Sequence, residues 1–219
     1  MKIDIASLPA FYINMESSIK RRHDFLRWNK QLKFKNVKRI AGVVGEPYYI
    51  GLSYAFQDTI CAGLNSGLPF IAFEDDATPT TRFTREIEVP DDADAVYLGV
   101  GPWGFSCGDN PKNGAKLNGA AFEKVNGFPG VFKIRSTLTC HAILYIGKSY
   151  TLAALESYKR AAPLGHHGDA QIYFDGLFDK YNVYAIGPLF YQHDLSKPHV
   201  MEATKNINMG NLSGNKLKT

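Results

Sequence analysis

Leu68-Pro69-Phe70-Ile71-Ala72-Phe73-Glu74-Asp75-Asp76-Ala77 runs from a short apolar segment straight into three carboxylates. Chain inside a core cannot hold three unpaired negative charges, so the strand that this run predicts must end at Glu74, on an edge open to water or to a cation. Hard divalent cations take oxygen ligands, and Mg²⁺ or Mn²⁺ beside a diphosphate is commonly held by only one or two carboxylates. In open α/β sheets, ligands bind beyond the carboxyl ends of the strands. The run therefore predicts an α/β fold with a seat for a metal–nucleotide pair at the rim of its sheet. The plain alternative is a solvated acidic turn, stopped by Thr78-Pro79.

Ahead of the run, Leu52, Phe56, Ile60 and Leu64 form one stripe of a helix over 52–65, which Gly67-Leu68-Pro69 breaks. The succession of helix, Ser66-Gly67-Leu68-Pro69-Phe70-Ile71-Ala72 and Phe73-Glu74-Asp75-Asp76 resembles the core of glycosyltransferase family 25. Members of that family, the lipooligosaccharide galactosyltransferases, carry a Gly-Leu-Pro-Tyr-Ile run ending in Glu-Asp-Asp. The resemblance implies a GT-A-like single domain over 1–202, a mixed central sheet flanked by helices that binds a nucleotide sugar, and a small virus-encoded member fits it. It extends from about Phe11 to Asp194, and only 67–76 is specific.

The chain has 219 residues, enough for one domain with a full core, and 45% hydrophobic with 21% charged residues is ordinary for a globular protein. Cys61, Cys107 and Cys140 are odd in number, widely spaced and without Cys-x-x-Cys pairs, so neither a disulfide framework nor a zinc site follows. No run approaches the roughly 18 apolar residues of a membrane span, and Met1 to Ala10 is too polar for a secretory signal. A cytoplasmic protein is expected, in the host cytoplasm if viral. The net charge of +4 permits an anionic partner without demanding one.

Ala10 to Asn14 reads as the first strand, and Ser17 or Ser18 caps a helix through Leu32 with Ile19, Phe25, Trp28 and Leu32 inward. Ile13-Asn14-Met15 followed by Arg21-Arg22 is similar to the family's N-terminal signature. Asn14 is then expected at the base or ribose and Arg21 or Arg22 at the diphosphate; the alternative leaves both arginines on a solvated helix face. The family's Ser-His at the start of the helix before the acid run is Ser53-Tyr54 here, so no role is carried over to Tyr54. Val37 to Val43 and Ala93 to Gly99 read as strands, and 101–130, rich in Gly, Asn, Pro and Lys, as a long loop in which Trp103 and Phe105 either stack on a ligand or anchor the chain. Val131 to Arg135 alternates like a half-exposed strand, 138–148 is similar to the family's next segment, and a helix over 151–162 ends at Pro163.

Gly165-His166-His167-Gly168-Asp169 precedes a helix over 170–181, which makes Asp169 an N-cap candidate. The family carries Pro-Val-Asp at a similar helix start, and its aspartate implies a catalytic role for Asp169, with His167 or His166 as the second candidate for general base. A last strand over 183–190 leads to Tyr191-Gln192-His193-Asp194. By analogy with GT-A enzymes that draw a metal-binding histidine from this region, His193 joins Asp76 and Asp75 as a metal ligand. Residues 203–219 read as a flexible polar tail.

The resemblance thus implies an inverting, metal-dependent transfer from a nucleoside-diphosphate sugar, a UDP-sugar first, to a hydroxyl of a carbohydrate, glycoconjugate or glycoprotein. Asp76 with Asp75 and His193 holds Mn²⁺ or Mg²⁺, and Glu74 or Asp75 bonds the ribose. Three alternatives stand beside this reading. One is a viral enzyme acting on a capsid glycoprotein or on hydroxymethylated DNA bases, with the basic stretch Lys20 to Arg39 tracking phosphates. Another is a nucleotide-binding module without transfer. A metal-dependent nucleotidyltransferase normally opens with a glycine-rich phosphate loop, which is not found between Met1 and Lys20.

Overall fold

A computed structural model describes residues 1–104, 116–117 and 119–212 of the chain. Its centre is an eight-stranded sheet. In chain order the strands are β1 (Pro9–Asn14), β2 (Asn36–Ala41), β3 (Phe70–Glu74), β4 (Ala95–Tyr97), β5 (Ala121–Lys124), β6 (Val131–Ser136), β7 (Ala142–Tyr145) and β8 (Val183–Ile186). They lie in the order β5-β6-β8-β4-β7-β3-β1-β2. β1 runs parallel to β2 and β3, β4 runs parallel to β8, and β7 lies antiparallel between β3 and β4. The sheet is mixed, as the α/β reading expects.

One consequence positions everything that follows. β1, β2, β3 and β4 all end on the edge of the sheet where β7 begins. Glu74, Asn14 and the residues just ahead of Ala142 therefore meet there.

The helices are α1 (Ile19–Leu32), α2 (Tyr48–Ser66), α3 (Lys148–Leu164), α4 (Gly168–Phe174), α5 (Leu177–Lys180), α6 (Pro198–Lys205) and α7 (Met209–Leu212). Among the described residues, no helix is long and apolar enough to cross a membrane. β3 shows why its first four residues are all apolar. Phe70 and Ala72 pack with α2 and α3 on one face, while Ile71 and Phe73 pack with Phe25 and Trp28 of α1 on the other. These four residues are fully buried, and burying a Phe or Ile side chain contributes roughly 1.5–3 kcal/mol. Gly63 of α2 lets the two elements close, since a Cβ there would stand 2.3 Å from the Phe70 ring.

Several local expectations are corrected. Ile19 is 58% exposed, because it lies on the opposite side of α1 from Trp28, whose indole packs inward with Phe25. α2 begins already at Tyr48, and α3 carries Pro163 inside its last turn and ends on left-handed Gly165. The helix expected over 170–181 is two, α4 and α5, because Gly176 takes a φ of 69° between them. The long loop contains β5, and Trp103–Gly104 pairs with Lys116–Leu117. Phe105 lies outside the described residues. Residues 203–212, expected to start a flexible tail, instead complete α6 and form α7, with Ile207 and Met209 buried in the core.

Candidate active site

At the shared strand edge lies a cleft of about 550 Å³. Its lining includes five carboxylates, those of Glu74, Asp75, Asp76, Asp169 and Asp194, against the cations of Arg21 and Lys197. A cleft of that balance repels an anionic ligand unless a cation accompanies it.

The acid run lines up as β3 ends. Asp75 Oδ2 accepts from Asn14 Nδ2 at 2.6 Å, and its Oδ1 accepts from Arg21 Nη1 at 3.2 Å. Asp76 is 9% exposed and its Oδ1 has no hydrogen-bond partner. Beyond it, Phe190–Gln192 pairs antiparallel with Ala77–Pro79, and the His193 N–H donates to the Asp76 carbonyl at 2.7 Å. Alternate residues of an extended segment face opposite ways. Gln192 and Asp194 thus line the cleft, while Tyr191 and His193 turn out, with the tyrosine hydroxyl 3.2 Å from His193 Nδ1. Asp194 is the residue that the sequence reading missed. Its Oδ2 accepts from Arg21 Nη2 at 3.2 Å and its Oδ1 from Ser196.

These neighbours set the charge states. Burial pushes Asp76 up to about 6 against the pull of Arg21, and the charges of Asp75 and Asp194 add to the push. Glu74, at the floor of the cleft, is pushed by burial and by Asp76 up to about 8, while a bond from the Cys140 thiol to its Oε1, at 3.1 Å, pulls it back. It stands within electrostatic reach of both Asp76 and Asp169. Asp194 stays below the usual carboxylate range despite partial burial, because Ser196 and Arg21 favour its charged form.

α4 brings the second group. Its N-cap is His167 rather than Asp169, and Gly168 rests against the Tyr158 ring. Asp169 sits in the first turn, where its Oδ1 accepts from the Ala170 N–H at 2.8 Å. Burial raises its pKa, and the adjacent His167 opposes that rise. The His167 ring lies 4.4 Å from the Tyr49 ring and 5.6 Å from that of Tyr48. Tyr48 is 63% exposed at the cleft mouth, with the Lys197 ammonium 5.6 Å from its ring centre. Trp103 joins the lining, whereas Nδ1 of His166 is taken up by Gln171 at 2.8 Å.

Two expected ligand contacts give way. Asn14 is 1% exposed and fully engaged: Nδ2 donates to Ser18 O and Asp75, and Oδ1 accepts from Arg22 and Arg39. It orders the strand end and has no valence left for a base or ribose. Arg22 is held by Asn14 and Glu16, so of the arginine pair only Arg21 reaches the cleft.

The donor set suits a hard cation, since Asp75, Asp76 and Asp194 offer oxygens and Asp76 Oδ1 is buried without a partner. His193 is not part of it. In the present arrangement, and among the described residues, no three His, Cys, Asp or Glu side chains are close enough to hold a metal ion.

No protein-family profile matches the chain, and no curated protein matches it. Among solved structures it is similar to a nucleoside-diphosphate-sugar pyrophosphorylase from Vibrio cholerae RC9, at 11% identity over 83% of this chain and 73% of that one, with a TM-score of 0.41. A CTP:phosphocholine cytidylyltransferase from Streptococcus pneumoniae is similar at 10% identity over 88% of this chain and 96% of that one, with a TM-score of 0.40. Likenesses so slight carry no inference about chemistry.

Proposed function

We propose that the chain transfers a sugar from a nucleoside diphosphate to a hydroxyl of a glycan, glycoconjugate or glycoprotein, with Mn²⁺ or Mg²⁺ as cofactor. The observation that carries this reading is the union, in one cleft, of a carboxylate seat around Arg21 and a separate buried carboxylate, Asp169, framed by aromatic rings. The resemblance of 67–76 to glycosyltransferase family 25 points the same way.

In the reaction, the bond from the sugar's anomeric carbon to the diphosphate oxygen breaks as a bond to the acceptor oxygen forms. Asp75, Asp76 and Asp194 would hold a divalent cation, which would supply Lewis-acid stabilisation of the departing diphosphate. Arg21, reaching into the cleft from α1, offers the same diphosphate a planar pair of donors. The acceptor's proton passes to Asp169. Burial, by raising the pKa of that carboxylate, makes it the stronger base. The exposed Tyr48 ring, with Trp103 also in the cleft lining, provides the flat apolar surface on which a sugar ring of the acceptor rests. A base facing the sugar from the side opposite the leaving group implies inversion.

An acidic cleft disfavours a DNA acceptor, whose phosphates would meet the charged carboxylates of Asp75 and Asp194. Nucleotidyl transfer is disfavoured by the turn after β1, Met15-Glu16-Ser17-Ser18, which has no glycine to let backbone N–H groups close on phosphates. The test is nucleoside diphosphate release from a panel of UDP- and GDP-sugars, with and without Mn²⁺, next to thermal shifts with the same ligands. Cation-dependent release is expected. Stabilisation by a nucleotide sugar without any release would make the chain a binding module.

A further inference from the structure

The carboxylate seat already holds a cation, and it belongs to the chain itself. Arg21 Nη1 stands 3.2 Å from Asp75 Oδ1 and 4.0 Å from Asp76 Oδ2, and Nη2 stands 3.2 Å from Asp194 Oδ2. The acids are more deeply buried than the arginine. Side chains of Asp75, Asp76 and Asp194 are 10%, 10% and 13% exposed, and Asn14 and Ser196 tie the first and last in place. The Arg21 side chain is 43% exposed and enters from α1 with one side open to the cleft.

The match between guanidinium and seat is incomplete. A planar fork reaches two of the three acids at bonding distance and meets Asp76 only at 4.0 Å. Asp76 keeps a buried Oδ1 without a partner, although a buried polar atom normally has one. Oxygen ligands, a high local negative charge and one unused buried oxygen favour a small hard cation, around which the acids now spread about the guanidinium would have to draw together.

We propose that Arg21 is a resident stand-in for a divalent cation, that the two exclude one another from the Asp75–Asp76–Asp194 seat, and that the displaced guanidinium turns to the anionic group of the incoming ligand. That this anion is a nucleoside diphosphate rests on the function proposed above. The exclusion itself does not. The cation alone must break the Arg21 pairs, and a diphosphate alone meets uncompensated carboxylates. When both arrive, each takes the partner that the other has freed. Cation and nucleotide therefore bind with positive coupling, and the coupling is reciprocal. Asp194 enters as the third acid of the seat.

Mn²⁺ binding by the full chain, followed by electron paramagnetic resonance with no sugar donor present, tests this directly. Arg21→Gln is expected to bind Mn²⁺ alone at least tenfold more tightly than wild type. UDP or GDP should raise Mn²⁺ affinity at least tenfold in wild type and much less in Arg21→Gln. Arg21→Lys, whose ammonium cannot bridge two acids in the same way, should fall between and serves if Arg21→Gln does not fold. Asp194→Asn should weaken Mn²⁺ in both backgrounds. Equal or weaker Mn²⁺ binding by the folded Arg21 variants, or no Mn²⁺ binding by any form, overturns the proposal. An absence of sugar-donor turnover alongside the expected Mn²⁺ pattern would sink the transferase reading alone.

Discussion

Asn14 donates from Nδ2 to Asp75 Oδ2 at 2.6 Å, so the end of β1 is tied to the acid run that leaves its parallel neighbour β3. The same side chain accepts from Arg22 and Arg39 and donates to the Ser18 carbonyl. Asn14→Leu keeps the volume and removes all of these bonds, stranding groups that are half-buried or deeper. A loss of roughly 2–4 kcal/mol in urea unfolding is expected, since each stranded buried group costs about 1–3 kcal/mol. A change under 1 kcal/mol would mean that solvent or Glu16 takes over the freed partners.

Asp169 lies in the first turn of α4 and is not its N-cap, and the function proposed above gives it the acceptor's proton. Its described bond stays within its own turn, to the Ala170 N–H, and an asparagine oxygen can keep it. Asp169→Asn should therefore lower the transfer rate on the order of 10²–10⁴ while leaving stability within about 1 kcal/mol. A rate loss under tenfold in steady-state assays would assign the proton to another group.

How much of this was legible in the chain follows from what each residue depends on. β3 was readable because both of its faces are buried, so the apolar run itself carries the signal, and the charge at Glu74 marks where burial stops. Asp75 and Asp76 follow by adjacency. Asp194 was not readable: it joins the seat through the pairing of Phe190–Gln192 with Ala77–Pro79, a contact between distant segments. The alternation Tyr191, Gln192, His193, Asp194 held the one local signal, since a strand cannot aim both His193 and Asp194 at one cleft. Asn14 illustrates the converse. Its sequence context suggested a ligand contact, but Arg39 arrives from β2 and Asp75 from beyond β3 to use up its valences. Gly176, left-handed between α4 and α5, is the local signal in the chain that the helix over 170–181 breaks.

His141 gives the fold an acid-side weakness. The ring is wholly buried; Nε2 faces the Phe190 carbonyl at 3.3 Å, and Nδ1 has no partner. Adding a proton at Nδ1 would bury a charge with nothing to accept from it, and burial lowers the pKa from 6.5 to about 4. Between those values the unfolded chain binds a proton that the folded chain refuses, so stability falls as pH drops from above 6.5 towards 4, by about 3 kcal/mol in all. His141→Leu removes this component. Unfolding by urea at pH 7 and pH 4.5 should show a smaller acid-side loss in the variant, and equal losses would place the weakness in the carboxylates.

Gly168 sets the distance between α4 and the core. A Cβ at this position would stand 2.2 Å from Tyr158 Cε1 and 2.3 Å from Cδ1. Tyr158 cannot withdraw, because it is buried and stacked on Phe56 at 4.8 Å with the rings 5° from parallel. Gly168→Ala must therefore push the start of α4 outward and carry Asp169 with it. Overpacking of this kind costs about 1–3 kcal/mol, and a shift near 1 Å at a reacting group lowers rate about 10²-fold. Mn²⁺ binding, which depends on residues of α1, the acid run and Asp194, should not change. Transfer kinetics and Mn²⁺ titration on the same preparation separate the two ends of the cleft, and a parallel loss of both would show that α4 also supports the carboxylate seat.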